Sequence, residues 1–192
     1  MTSTVYIAKN VYGGDGLGRL GDGRVVFVSG AWAGEQVKAE IIEEKRSYVK
    51  ARLVEVIEPA RERIDGGFVS GIPGCVYADI SPKGEMAAKE SQLKEFFERA
   101  HISAGEIRTS PLADEFFFNY RNKVVYHFDV EDGRLKIGYR QEPSHRIIDM
   151  TSDPLAVAAI NEKLPEIRRT VGALAASGPM SVRRDIIAKG NV

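Results

Sequence analysis

The chain has a single cysteine, Cys75, and no long apolar run among its 192 residues. One thiol cannot form an internal disulfide and cannot by itself build a structural zinc or iron–sulfur site. No apolar segment approaches the ~20 residues that span a bilayer, and the N-terminus lacks the charged and apolar regions of a signal peptide. We therefore expect a cytoplasmic protein without a membrane partner.

An excess of charge of either sign is also missing, since lysine plus arginine and aspartate plus glutamate number 27 each. No global positive field draws the chain to nucleic acid, so any affinity for RNA has to come from local patches. Hydrophobic residues make up 43% of the chain, which is enough for one or two folded domains with real cores.

Short strands separated by glycines are predicted for the first sixty residues. The predicted strands are Thr4–Lys9, a short one near Leu17–Leu20, Arg24–Val28, Gln36–Glu43 and Tyr48–Ile57. Five strands of this kind indicate an OB-like barrel, which closes a sheet without long edges. Residues 16–21 also satisfy the G-x-G-x-x-G spacing of a dinucleotide-binding turn. A β-branched and aromatic run follows, however, so we interpret these glycines as tight turns between strands.

The last predicted strand of the barrel has two different faces. Its inward side chains are expected to be Val49, Ala51, Leu53 and Ile57. Its outward ones are expected to be Tyr48, Lys50 and Arg52, which with Lys45 and Arg46 give four cations and a stacking ring suited to RNA. The alternative is a solvated face balanced by Glu43, Glu44 and Glu55, and the residues alone favour neither interpretation.

A domain boundary near Pro59 precedes a predicted helix over about 82–100, with Ser81 as its cap and Pro82 in its first turn. Apolar side chains recur along it at helical spacing: Met86, Leu93, Phe96, Phe97 and Ala100. We interpret this stripe as core packing in preference to a ligand site.

A hairpin over about 121–140 is predicted around the turn Asp132-Gly133. Its core face consists of Val124, Tyr126, Phe128, Val130, Leu135, Ile137 and Tyr139. Its opposite face carries Arg121, Lys123, His127, Asp129, Arg134, Lys136 and Arg140. Asp129 is expected opposite Lys136, and Glu131 opposite Arg134. We interpret His127 as a surface residue, since no second histidine or cysteine is spaced to assist it.

A helical region over about 154–176 and a strand over Met180–Ile187 complete the predicted elements. The helical period runs through Ile160, Leu164, Ile167, Val171 and Leu174, with Pro165 expected to break or restart it. The predicted fold class is mainly β with α (α+β). It has an N-terminal five-stranded OB-like barrel over 1–60 and a β-rich central α+β domain with flanking helices over 61–192.

Several segments together resemble a known family. They are the glycine-rich opening, the Lys45–Arg52 strand, the stretch Tyr120–Lys123, and Ile137–Arg140 with Ser144–Asp149. In consistent order from about Val5 to Val192, the chain resembles the N-terminal half of S-adenosylmethionine-dependent RNA uracil-C5 methyltransferases that begin with a TRAM domain. The resemblance implies a TRAM barrel that grips RNA and a central domain that positions the substrate. In full-length relatives it also implies a Rossmann-like domain that binds S-adenosylmethionine.

The resemblance and the charge pattern together predict an rRNA or tRNA partner. The candidate RNA-binding residues are Arg19, Arg24, Lys45, Arg46, Tyr48, Lys50, Arg52, Arg121, Lys123, Arg134, Lys136, Arg140, His145 and Arg146. No catalytic or metal-binding residue is predicted. The alternatives are a stand-alone TRAM-type RNA-binding or interaction module without enzymatic activity, and a protein-interaction domain with a solvated charged face.

Two features depart from the family pattern. Many relatives hold an iron–sulfur cluster, but here Ile72-Pro73-Gly74-Cys75 occupies the C-G-G-C position, with Gly66 and Asp153 near further cysteine positions. We expect no cluster, and we interpret Cys75 as a buried or half-buried small residue.

The methyltransferase domain is expected beyond Val192, so this chain alone is predicted to be inactive and to lack S-adenosylmethionine. Without that domain, self-association through Met86, Leu93, Phe96 and Phe97 is a further hypothesis.

Overall fold

The computed structural model describes residues 1–66, 72–103, 105–108, 118–131, 134–141, 146–176 and 185–189, the last segment as backbone. The chain divides into two compact units: Met1–Ser70 with Cys75–Ser110, and Gly71–Gly74 with Pro111–Val192. This division differs from the predicted one at residue 60, because the helix that follows the barrel belongs to the first unit. No described helix combines the length and the apolar character needed to cross a membrane.

Five strands of the first unit form a closed barrel, as predicted. They are β1 (Thr2–Asn10), β2 (Gly16–Arg19), β3 (Val25–Ser29), β4 (Gln36–Glu44) and β5 (Tyr48–Glu58). Their order around the barrel is β1-β2-β3-β5-β4, with β3 and β5 parallel and the other pairs antiparallel. The fold class, mainly β with some α, is confirmed.

The inward face of β5 follows the predicted alternation only over its first half. Val49 and Ala51 are buried in the barrel core, and Leu53 packs against it. On β4, Val37 and Ala39 pair with Val56 and Leu53, so β5 has one extra residue between the pairs. Such a β-bulge reverses the alternation beyond it. The predicted inward position of Ile57 is therefore wrong: its side chain is 46% exposed.

Gly16 and Gly18 lie inside β2, where the strands approach too closely for a side chain. A Cβ on Gly18 would lie 2.5 Å from the Tyr6 carbonyl oxygen, and one on Gly16 would lie 2.7 Å from the Ala31 carbonyl oxygen. The prediction of tight turns is wrong for these two glycines. Their role is to let neighbouring backbone lie directly against β2, namely β1 at Gly18 and the β3–β4 connection at Gly16.

A buried ion pair holds the chain that leaves the barrel. Glu35 is fully buried, and its carboxylate accepts from the Arg63 guanidinium at 2.5 and 2.9 Å. The same carboxylate also accepts from the backbone N–H of Trp32 at 2.8 Å and of Ala60 at 3.2 Å. Every hydrogen bond to this group lies in the first unit, so it fixes the segment after β5 against the β3–β4 connection.

Helix α1 (Pro82–Arg99) begins as predicted, with the Ser81 hydroxyl accepting from the Gly84 N–H at 3.1 Å. The interpretation of its apolar stripe as core is wrong for three residues. Leu93 is 42% exposed, Phe96 is 64% exposed and Ala100 is also exposed. Met86 and Phe97 are half-buried.

The second unit contains a four-stranded sheet in the order β8-β7-β6-β9. The strands are β6 (Lys123–Glu131), β7 (Arg134–Arg140), β8 (Ile147–Asp149) and β9 (Asp185–Lys189). The hairpin register is confirmed, with Asp129 opposite Lys136 and Glu131 opposite Arg134. The turn residues Asp132 and Gly133 and most of the strand predicted from Met180 lie outside the described residues.

Helix α2 (Ala158–Ala176) continues through Pro165, so the predicted break is wrong. Ile160 and Leu164 before the proline and Val171 after it are all buried, which keeps both halves packed despite one missing backbone hydrogen bond. Leu174 is 52% exposed. The helix begins four residues later than the predicted 154, because Asp153 has a different role, described below.

Replacing Gly18 with alanine should destabilise the barrel by at least about 2 kcal/mol, because the new Cβ overlaps a backbone oxygen. Gly21→Ala is the matched control, since a Cβ there meets no atom within 4 Å. Urea unfolding of both variants measures the difference. Equal stability of the two variants would show that the close crossing at Gly18 does not exist in solution.

Candidate nucleic-acid interface

The outward face of β5 has the predicted cations and ring. Because Val49 and Ala51 point inward, the side chains of Lys50 and Arg52 are 50% and 64% exposed. Tyr48 is half-buried, and its ring packs edge-on against Phe27 on β3 with centroids 5.8 Å apart. The strand therefore presents two cations to solvent beside a ring that is partly covered.

Carboxylates pair with most of the cations on this face. Glu43 contacts Lys45 at 2.7 Å and Lys50 at 3.2 Å, while Arg52 contacts Glu40 at 2.6 Å. Arg24 on the neighbouring turn contacts Asp22 at 2.7 Å and Glu44 at 3.0 Å. Four cations thus face four acids, and the paired set has no net charge. Exposed pairs of this kind contribute little to stability, so a phosphate can exchange with the carboxylate.

Two acids on this face, Glu43 and Asp22, have a lowered pKa because of their partners. Hydrogen bonds from Lys45 and Lys50 lower the pKa of Glu43, and hydrogen bonds from the Arg24 backbone and side chain lower the pKa of Asp22. Burial raises the pKa of Asp15, an effect that the charge of Lys50 partly offsets. At neutral pH the resting face is therefore balanced, as the alternative sequence interpretation had it. Its acids, however, include Glu40 and Asp22, which that interpretation did not name.

Two of the candidate RNA-binding cations of the barrel have no carboxylate within 4 Å among the described residues. Arg19 donates to the Gly23 carbonyl oxygen at 3.0 Å. Arg46 is exposed in the β4–β5 turn, which the Lys45 N–H closes on the Tyr48 carbonyl oxygen at 2.9 Å. Among the candidate RNA-binding residues of the barrel, Arg19 and Arg46 are therefore the ones that can meet a phosphate without displacing an acid.

The second unit presents a more positive strand face. Lys123, Arg134 and Arg140 are exposed, and in the part of the chain that the structure describes none lies within ion-pair distance of an acid. Lys136 contacts Glu131 at 2.5 Å instead of Asp129, which faces it in the register. Arg146 is exposed, His127 is half-buried, and His145 lies outside the described residues.

Arg121 belongs to a buried network that the sequence did not indicate. Its guanidinium lies 5.8 Å from the Tyr120 ring centroid and 5.6 Å from that of Tyr139, and it donates to the Tyr139 hydroxyl at 3.1 Å. The hydroxyls of Tyr139 and Tyr126 both donate to the fully buried Asp153 carboxylate, at 2.7 and 2.9 Å. Burial and this carboxylate raise the pKa of both phenols. Arg121 is thus fixed by the interior of the unit.

The network explains why α2 does not begin at Asp153. The second carboxylate oxygen of Asp153 accepts from the Leu155 N–H at 2.9 Å. The backbone N–H of Asp153 donates to the side-chain oxygen of Asn161 at 2.7 Å. No local pattern distinguishes such a carboxylate from an ordinary helix cap. The described residues contain no group of three or more histidine, cysteine, aspartate or glutamate side chains that could hold a metal ion.

Comparison with known proteins gives a consistent result. The TRAM domain family matches residues 2–54. An uncharacterized RNA methyltransferase of Thermotoga maritima is 30% identical over 91% of this chain and 39% of that protein. A 23S rRNA (uracil(1939)-C(5))-methyltransferase of Pseudomonas putida is 31% identical over 86% of this chain and 38% of that protein.

A solved structure shares the fold. The crystal structure of Pyrococcus abyssi tRNA (uracil-54, C5)-methyltransferase in complex with S-adenosyl-L-homocysteine matches 89% of this chain with a TM-score of 0.63 and 18% identity. The match covers 37% of that protein, so the chain spans about two fifths of the length of the relatives it matches. Residues 2–54 are a TRAM domain, and the chain as a whole is homologous to part of proteins named RNA methyltransferases.

Proposed function

We propose that this chain is the RNA-binding and substrate-positioning portion of an RNA (uracil-C5) methyltransferase that acts on rRNA or tRNA. The observation that carries the proposal is the TRAM barrel, whose strand β5 presents Lys50 and Arg52 to solvent. The names of the Pseudomonas and Pyrococcus proteins support the uracil-C5 chemistry and the two classes of RNA.

The barrel face acts by exchanging partners. Glu40 and Glu43 pair with the Arg52 and Lys50 side chains while RNA is absent. Because these pairs are exposed and weak, a phosphate can replace the carboxylate at little cost in free energy. Because the paired cations and acids have no net charge, the selection of an RNA depends on the spacing of its phosphates and not on a long-range electrostatic field.

Methyl transfer is assigned to a part of the protein outside this chain. The reaction needs a cysteine thiolate, a carboxylate base and a methyl-donor pocket, whereas the one cysteine, Cys75, lies outside the family's nucleophile motif. S-adenosylmethionine, bound in that other part, supplies the methyl group. We assign the positioning of the RNA to the residues of this chain.

The residues present do not fit an iron–sulfur cluster. Such clusters are held by several thiolates, and the sequence contains one. At the position near a later family cysteine stands Asp153, whose carboxylate is fully engaged by two tyrosine hydroxyls and a backbone N–H. This arrangement supports a structural role for Asp153 in a region that holds no cluster.

The main test replaces Lys50 and Arg52 with alanine and measures RNA affinity as a function of salt. The slope of log K against log salt should become shallower by about 1.5, since each phosphate contact contributes about 0.7–0.9. Lys83→Ala with Lys94→Ala removes the same charge from the exposed side of α1 and should change the slope far less. An unchanged slope in the Lys50 and Arg52 variant would assign RNA contact to another surface.

Glutamine at positions 40 and 43 should strengthen RNA binding several-fold, because the variant removes the acids that compete with phosphate and repel it. The control is Glu55→Gln with Glu58→Gln, two exposed glutamates at the other end of β5. Fluorescence anisotropy with a labelled rRNA or tRNA fragment measures both. Equal or weaker binding of the Glu40 and Glu43 variant would contradict the exchange of partners on this face.

Incubation of the purified chain with RNA and S-adenosylmethionine should yield no 5-methyluridine, because the chain lacks the reacting groups. Nucleoside mass spectrometry provides the measurement, and a full-length relative provides the positive control. Formation of 5-methyluridine by this chain alone would refute the assignment of methyl transfer to another part of the protein.

A further inference from the structure

A cavity of about 590 Å³ lies between the β1–β2 loop and helix α1, within the first unit. Tyr12 and Gly13 of the loop form one wall, Tyr77 lines it, and Lys89, Gln92 and Phe96 of α1 face it. The residues that line this cavity are different from the candidate RNA-binding residues described above. Its volume is in the range of pockets that bind small organic groups.

The loop that carries Tyr12 is held from several sides. The Gly14 N–H donates to the Val11 carbonyl oxygen at 3.0 Å, which closes a turn that the positive φ of Gly13, 96°, permits. The buried Asn10 side chain donates to the Gly14 carbonyl oxygen at 3.2 Å, and Gln92 donates to the Val11 carbonyl oxygen at 3.2 Å. The backbone at the tip of this loop therefore has a defined position.

Two aromatic rings at this cavity are exposed to water. Tyr12 is 94% exposed at the tip of the braced loop, and Phe96 is 64% exposed on α1. The hydrophobic effect disfavours exposing rings in this way, and an exposed ring carried on a braced loop or a helix can serve as a stacking platform for a planar group. Tyr77 is already engaged, since its ring stacks on Trp32 with centroids 5.4 Å apart.

The polar groups of the cavity are a cation and an amide. The Lys89 ammonium lies 5.2 Å from the Tyr77 ring centroid and also pairs with Glu85. The Gln92 Nε2 stays on the Val11 carbonyl oxygen, but its Oε1 accepts only a long contact of 3.4 Å from the Tyr77 hydroxyl, so this oxygen can pair with a ligand. Among the described residues, no carboxylate lines the cavity. Aromatic rings, an amide and an ammonium together match a nucleobase with its phosphate.

We infer that this cavity binds one unpaired nucleobase of the RNA, stacked on Tyr12 and Phe96, with its phosphate near Lys89. The inference rests on the proposed function, to which it adds a preference for unpaired RNA. In a duplex the bases stack on each other and are not available to these rings. The chain therefore recognises a single-stranded or flipped-out nucleotide beside the barrel.

The alternative occupant, a second copy of the chain, fits the surface less well. The exposed apolar area of α1 is narrow, because Lys89–Glu85, Lys94–Glu90 and Arg99–Glu95 ion pairs run along the same helix. Charged residues of this density are depleted from the cores of protein interfaces. A nucleobase requires only the two rings and their immediate surroundings.

The test measures binding of a short unpaired oligoribonucleotide that contains one 2-aminopurine, and of a blunt RNA duplex of the same length. The double variant Tyr12→Ala with Phe96→Ala should bind the unpaired RNA about tenfold more weakly, as expected for loss of a stacked base. Its affinity for the duplex and its salt slope should be unchanged, because no charge is removed. The quenching of 2-aminopurine fluorescence on binding should also be lost.

Tyr6→Ala is the matched control, since Tyr6 is another exposed barrel tyrosine, 63% exposed on β1. It should leave the affinity for both RNAs unchanged. If the wild-type chain binds RNA and the double variant binds the unpaired RNA equally well, the cavity does not hold a base while the proposed function stands. If the wild-type chain binds neither RNA, the proposed function fails. A wild-type dimer that Phe96→Ala converts to a monomer, with RNA affinity unchanged, would assign the surface to a second copy.

Discussion

Contact between the backbones of β1 and β2 is the constraint on which the barrel depends. Gly18 makes this contact possible, and Gly16 allows the β3–β4 connection the same close approach, because any larger residue would meet a carbonyl oxygen there. The pairing of β1 with β2 is part of the closed barrel, and closure fixes which side of every strand faces the core. The outward position of Lys50 and Arg52 on β5 and the exit of the β1–β2 loop that carries Tyr12 both follow from it. A glycine spacing that imitates a nucleotide-binding turn thus serves a purely geometric purpose.

Charge is distributed differently in the two units. The barrel cations of β5 and its neighbours are matched by acids, while several cations of the second unit have no carboxylate partner among the described residues. In the proposed function the barrel provides cations whose acid partners exchange with phosphate, and the second sheet provides uncompensated positive charge. This division is consistent with a chain whose overall charge is zero. Binding of RNA by such a chain depends on where the cations stand, since there is no net field to attract a polyanion.

The sequence predicts most of the fold because its strands alternate cleanly and its turns use glycine. All five barrel strands and the hairpin register follow from this local information. The predictions are wrong where contacts between residues distant in sequence determine burial or the continuity of an element. The bulge at Val54 that turns Ile57 outward depends on pairing with β4, and the continuity of α2 through Pro165 depends on buried neighbours on both sides. The exposure of Phe96 depends on which part of the α1 surface is covered by other segments of the chain.

Less of the candidate site could be predicted. The positions of Lys50 and Arg52 follow from alternation. Their partners Glu43 and Glu40, however, follow from the register between β4 and β5, which three irregularities shift. The network of Asp153 with Tyr126 and Tyr139 joins three elements far apart in sequence. Such contacts have no local signal. The loop tip at Tyr12 is signalled only by its two glycines, which do not reveal that α1 lies beside it.

Cross-linking tests the account most directly. Purified chain bound to RNA that contains 4-thiouridine is irradiated, and the modified peptides are identified by mass spectrometry. The account predicts cross-links on the β1–β2 loop at Tyr12 and on the outward residues of β5. Cross-links confined to the second unit, or none above the level of a protein that does not bind RNA, would contradict it.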